Sequence, residues 1–255
     1  MARRRRRGPG IAIGSSFGGF AILGCGLLLG GLALPKVAST FAATTGEAVV
    51  ERLKEGKPVG EHGLSDARAS FENAIRFLPS DYRAPRDLAL VELLAAQRLE
   101  DVGGEAQKQI DKDRAEHLAT AISASRRSLS NNPAQPYVWL RLSQAELLAR
   151  GVGVEAALAY TMSLETGPQV IDLMQPRVVL GLVLWPILDD RQRNRVLAQI
   201  RGLARYNPRI LAETVLHRPG LPQVRQALAD EPELMNAFLR WYLKRRTPGL
   251  RLPTN

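Results

Sequence analysis

The sequence predicts an all-α protein in which one membrane-spanning helix is followed by a stack of paired helices. Three observations carry that expectation. An uncharged apolar run over residues 11–34 follows five consecutive arginines, Arg3, Arg4, Arg5, Arg6 and Arg7. Beyond Leu64 the apolar residues recur at helical spacing, and no stretch alternates with period two. Prolines then punctuate the helical region as they do in chains that turn back on themselves repeatedly.

The apolar run comes first. A helix over residues 11–34 covers about 36 Å at about 1.5 Å per residue, enough for a hydrocarbon core of about 30 Å. A span must be helical there, because no water satisfies its backbone groups. Arg3–Arg7 stay on the cytoplasmic side, held by the positive-inside bias and anionic headgroups, so the rest of the chain faces outward. In a bacterium with two membranes this places the anchor in the inner membrane and the C-terminal domain in the periplasm. Two other readings use the same residues. Val37-Ala38-Ser39 would serve a cleaved signal peptide, although the apolar run is long for one. Ile22-Leu23-Gly24-Cys25 resembles a lipobox, although Gly26 to Leu34 stay apolar after the cysteine. The pairs Gly14/Gly18 and Gly26/Gly30 have the four-residue spacing that lets membrane helices approach closely, which would allow a homo-oligomer. Glycine is also simply common in membrane helices.

Composition narrows the function classes. The 255 residues suffice for one domain and an appendage. Half of the formal charge of +10 sits in Arg3–Arg7, at the membrane edge. The outer region has no interleaving of aromatic and basic residues, which argues against nucleic acid as a partner. Few of the basic residues are lysine and alanine is abundant, as in GC-rich bacterial genomes. Cys25 is the only cysteine, so no intrachain disulfide exists. His62, His117 and His217 are scattered without a second ligand at helical spacing, which gives no support for a metal. Gly103-Gly104 lacks the further glycines and the lysine of a phosphate loop. The expectation is a non-enzymatic protein with no cofactor.

Residues 35–63 read as a linker, broken by Thr44-Thr45-Gly46, Gly56-Lys57-Pro58 and Gly60-Glu61-His62-Gly63. At most a short helix, Ala48–Lys54, stands between them. From residue 64 a pattern repeats: a small residue, a large one four later, a small one three later, and a proline five after that. Ala67, Phe71, Ala74 and Pro79 fit it, as do Ala156, Tyr160, Ser163 and Pro168. Ala121, Ser125, Ser128 and Pro133 fit with a small residue in the large place, and Val196, Ile200, Leu203 and Pro208 fit loosely. Trp139, Leu142 and Ser143 complete one unit over residues 136–168, and Leu88-Ala89 mark another first helix. This pattern resembles the tetratricopeptide (TPR) repeat. The resemblance implies an α-solenoid of TPR-like hairpins over residues 64–246, followed by a flexible tail at 247–255. Unit length varies, and Asp101-Val102-Gly103-Gly104 reads as a loop insertion.

Toward the C-terminus, Val178–Leu188 reads as a buried helix ended or kinked by Pro186. An amphipathic helix follows a cap at Asp189 or Asp190 and runs to Tyr206, with Val196, Ile200, Leu203 and Ala204 inward. Arg191, Arg195, Arg201 and Arg205 share its other side. They form either a solvated face or a grip for an acidic glycan, anionic headgroups or an acidic partner helix. The last helix, about Glu233 to Arg246, brings Trp241 and Tyr242 to the core or to a membrane interface.

The TPR resemblance implies a membrane-anchored scaffold that binds protein partners. Leu184-Trp185-Pro186, the arginine-rich helix and the terminal helix are together similar to repeat proteins found beside polysaccharide polymerases and exporters. Cell-surface polysaccharide assembly or export is therefore the expected setting. The alternative is a structural accessory subunit of a larger inner-membrane complex.

Overall fold

The computed structural model describes residues 15–101, 103–216 and 219–246, with the backbone alone for residues 15–29 and 32. Arg3–Arg7, Gly14, the basic N-terminus 1–10 and the tail 247–255 lie outside the described residues. So do the side chains of most of the apolar run 11–34. Among the described residues no helix is long and apolar enough to cross a membrane.

The described chain is all-helical. Its α-helices are α1 (Ser15–Lys54), α2 (Glu61–Phe77), α3 (Arg83–Arg98), α4 (Gly104–Asn131), α5 (Pro136–Arg150), α6 (Val154–Thr166), α7 (Ile171–Leu184), α8 (Asp190–Tyr206), α9 (Pro208–Val215), α10 (Leu221–Ala227) and α11 (Pro232–Arg246). Local chemistry explains many of the boundaries. Pro136 and Pro208 open α5 and α9 at a position where the missing N–H costs nothing. Asp189 accepts from the Gln192 backbone N–H at 2.7 Å while Gln192 Oε1 accepts from the Asp189 N–H at 2.9 Å, a complete capping box for α8. Asn207 Oδ1 caps α9 by accepting from the N–H groups of Arg209 and Ile210. Gly151, with φ of 78°, lets the chain leave α5 through the left-handed region. As the sequence predicts, α7 stops at Leu184, and Trp185–Ile187, containing Pro186, form a single 3₁₀ turn.

One expectation is corrected. Residues 35–54 are not an irregular linker: α1 runs without a break through Pro35 and through Thr44-Thr45-Gly46 to Lys54. The physical reason is tertiary. A Cβ at Gly46 would stand 2.6 Å from the Phe71 ring, so glycine here admits α2 rather than ending α1. The Gly46 N–H, already in a helix, lies 3.0 Å from Ser70 Oγ, and that hydroxyl donates to Ala42 O at 2.5 Å. Only residues 55–60 separate the two helices.

Consecutive helices from α1 to α9 pack on one another, and a second rule sorts them into layers. The odd-numbered helices also touch in series, α1 with α3, α3 with α5, α5 with α7 and α7 with α9. Among the described residues α2 and α4, α4 and α6, and α6 and α8 have no backbone approach of that kind, and side chains bridge two of these pairs, at Arg68–Glu116 and Arg195–Glu165. The odd helices therefore form one layer of the stack, the inner one, and α2, α4, α6 and α8 the outer one. α10 packs on α8, and α11 closes the end against α9 and α8. The twelve helical positions of the repeated sequence pattern, from Ala67 to Leu203, are each 1% exposed or less. Small residues there allow close approach of neighbouring helices, and Phe71 and Tyr160 fill the space between them.

Candidate functional site

Two concave surfaces follow from this layering. On the inner layer a groove of about 350 Å³ crosses α3, α5 and α7. Its floor and walls are aliphatic, with Leu148, Val179 and Val183, and three amides edge it: Gln97, Gln144 and Gln175. Leu148 and Val183 remain 49% and 38% exposed. Each amide carries two donors and an acceptor, the complement of a peptide backbone, and the aliphatic floor suits an apolar side chain. No charged side chain lines the groove.

The second surface is a cleft of about 340 Å³ between α2, α3 and α4. At its base Glu92 is 1% exposed and held from two sides. Arg68 Nε lies 3.3 Å from Glu92 Oε1, and His117 Nδ1 lies 2.7 Å from Glu92 Oε2. Arg68 also reaches Glu72 at 3.0 Å and Glu116 at 3.4 Å. Burial works against the Arg68 charge, but these carboxylates outweigh it and raise its pKa. Arg98, on the rim, donates to Val59 O. The polar cluster is internally paired, so it links α2, α3 and α4. Glu146 repeats the arrangement one hairpin later: it is 2% exposed and bridged by Arg126 and Arg150. Sequence reasoning missed both carboxylates, yet a signal existed. Glu92 to Glu146 spans the same interval as Leu88 to Leu142 and Pro79 to Pro133.

Three of the four arginines of the α8 stripe are bonded within the molecule. Arg195 Nη1 donates to Glu165 of α6 at 2.8 Å. Arg201 Nη1 donates to Ala227 O at the end of α10 at 3.4 Å. Arg205 makes two bonds to Glu231, at 2.8 and 3.2 Å. Arg191 is exposed. The stripe thus ties α8 to α6 and to the C-terminal helices, while Arg191 and Arg205 stay exposed.

His62 is exposed and His117 serves Glu92, while His217 lies outside the described residues. Among the described residues no group of side chains is arranged to hold a metal ion. Gly18 and Gly26 fall within α1, and Gly30 has open space beside it. Trp241 is flanked by Arg209 and Lys244, at 5.5 and 5.3 Å from the ring, while Tyr242 is buried against Phe238. Fold and surfaces together define a repeat-like all-α protein with an uncharged inner groove. Neither a known protein family nor a curated protein matches the chain.

Proposed function

We propose that this protein is a membrane-anchored scaffold that binds protein partners in the inner groove of a TPR-like array. Residues 11–34 span the bacterial inner membrane, Arg3–Arg7 remain in the cytoplasm, and the hairpins stand in the periplasm. The observation that carries this reading is the continuity of α1. The helix that holds most of the apolar run is the same helix whose last turns, at Ala43, Gly46 and Val50, are built into the first hairpin. The array therefore sits directly on its anchor. The groove's amides and aliphatic floor suit an extended segment of a partner protein. Cell-surface polysaccharide assembly or export is the setting we assign, on the sequence resemblance described above.

The test is a topology and processing measurement: a periplasm-dependent reporter fused after Asn255, with the intact mass of the purified protein. An active reporter on a chain that retains its arginines supports the anchor. A mass starting near Ser39, or at a lipidated Cys25, replaces it with a soluble protein or a lipoprotein. A silent reporter overturns the envelope assignment.

A second reading, an accessory subunit held permanently in a membrane complex, draws on one observation. Val152, Val154 and Leu158, at the turn into α6 and along it, are 47%, 66% and 58% exposed. A scaffold persists when its partners are deleted, whereas an obligate subunit is degraded.

A further inference from the structure

α1 presents two faces between Leu34 and Lys54. Ser39, Ala43, Gly46 and Val50 are buried, and this is the side that meets α2. The opposite side carries Leu34, Val37, Phe41, Thr44 and Ala48, spaced alternately three and four residues apart. That spacing keeps side chains on one line of a helix that supercoils with a partner. Leu34, Val37 and Phe41 are 68%, 49% and 77% exposed. Glu51, next on the line, pairs with Lys54 at 3.0 Å and ends the apolar seam. In the other direction the seam continues one turn to Gly30, where a Cβ would meet nothing within 4 Å.

We infer that a second copy of this chain packs along that seam, so that two α1 helices pair side by side from Gly30 to Ala48. The inference rests on the anchored reading above, because two anchored copies must run parallel. Three arguments select a second copy over lipid. A helix bathed in lipid is apolar all round, whereas the exposed positions off this seam include Lys36, Thr40 and Glu47. In a parallel pair the positions flanking the seam meet five residues apart, which sets Glu47 of one copy against Arg52 of the other. Arg52 keeps its bond to Pro58 O and has further donors free for that contact. Gly30 on the seam permits close backbone approach, and the larger residues beyond fill the gap as the helices diverge toward their own hairpins. The interface is self-complementary, as a twofold pair requires.

The experiment is disulfide mapping in native membranes, using the full chain with Cys25→Ser as background. Single cysteines replace Val37 or Phe41 on the seam, and Lys36 off it. The expected result is a covalent dimer for Val37→Cys and Phe41→Cys, roughly tenfold above Lys36→Cys, because only the seam brings Cβ atoms within disulfide range. Equal yields at all three positions, or none, overturn the pairing. A Val37→Cys protein that stays monomeric and is shielded from a water-soluble maleimide shows lipid on the seam and also overturns it. So does a crosslink to a species of another mass. The periplasmic reporter is read on the same strains. A silent reporter with the seam dimer intact removes the anchor alone, and an active reporter without the dimer removes the pairing alone.

Discussion

Arg177 shows how this fold treats a polar residue that must be buried. It is fully enclosed, and among the described residues no carboxylate bonds to it. Its guanidinium donates instead to Ser163 O and Oγ and to Gly167 O, at the C-terminal end of α6, where helix carbonyls lack partners and the dipole is negative. Burial lowers its pKa, yet every neighbour it meets favours the cation. One turn on, Gly181 lets the Tyr160 hydroxyl pass: a Cβ there would collide with Tyr160 Oη and stand 2.8 Å from Val196. Tyr160 Oη donates to Arg177 O, and burial pushes its pKa up. We predict that Gly181→Ala destabilises the fold by about 1–3 kcal/mol through overpacking, measured by urea unfolding. Glu213 gives a pH prediction. Its bonds to Arg209 and Arg245 hold its pKa below the usual carboxylate range, tying α9 to α11. A carboxyl with a depressed native pKa stabilises above its unfolded value and loses that contribution as pH falls through the native one. Wild type and Glu213→Gln should therefore differ slightly in melting temperature at neutral pH and converge in acid.

At the scale of elements, much was legible and the exceptions have one cause. The extents of α8 and α11, and the stop at Pro186, followed from caps, apolar period and proline, all of which act within a few residues. Thr44-Thr45-Gly46 misled because its meaning is set by Phe71 on another helix, which local propensity does not report. Gly46→Ala should cost about 1–3 kcal/mol, and less in a Phe71→Leu background, since the two residues share one contact. Thermal denaturation of the four proteins in that cycle checks this, and simple additivity would sink the explanation. The arginine stripe is the matching case for function. Period established that Arg195, Arg201 and Arg205 share a face, but the acceptors, Glu165, Ala227 O and Glu231, come from three distant segments. The groove was illegible for the same reason, because Gln97, Gln144 and Gln175 meet only when three helices stack.

Across the whole molecule the apolar core is divided. One cluster joins Ala43 to Val91 with Ala124, a second spans Leu93 to Ala159, and the third and largest runs from Leu140 to Tyr242. Because each helix packs mainly on its chain neighbours, cohesion is local, as in any array stabilised through adjacent interfaces. Native-state hydrogen exchange should then resolve at least two opening units, with amides of α7 and α8 protected longer than those of α2 and α3. A single global opening for all of them would contradict the division.

The continuity of α1 has a mechanical meaning. A flexible tether would let the array tumble above the bilayer and would transmit nothing but position. In the anchored arrangement proposed above, a helix shared by both ends would be a shaft: axial rotation or tilt at the membrane would turn the first hairpin, and the inner groove would swing with it. Which way that groove faced, along the bilayer or away from it, would then be fixed by how the proposed anchor sits among lipids.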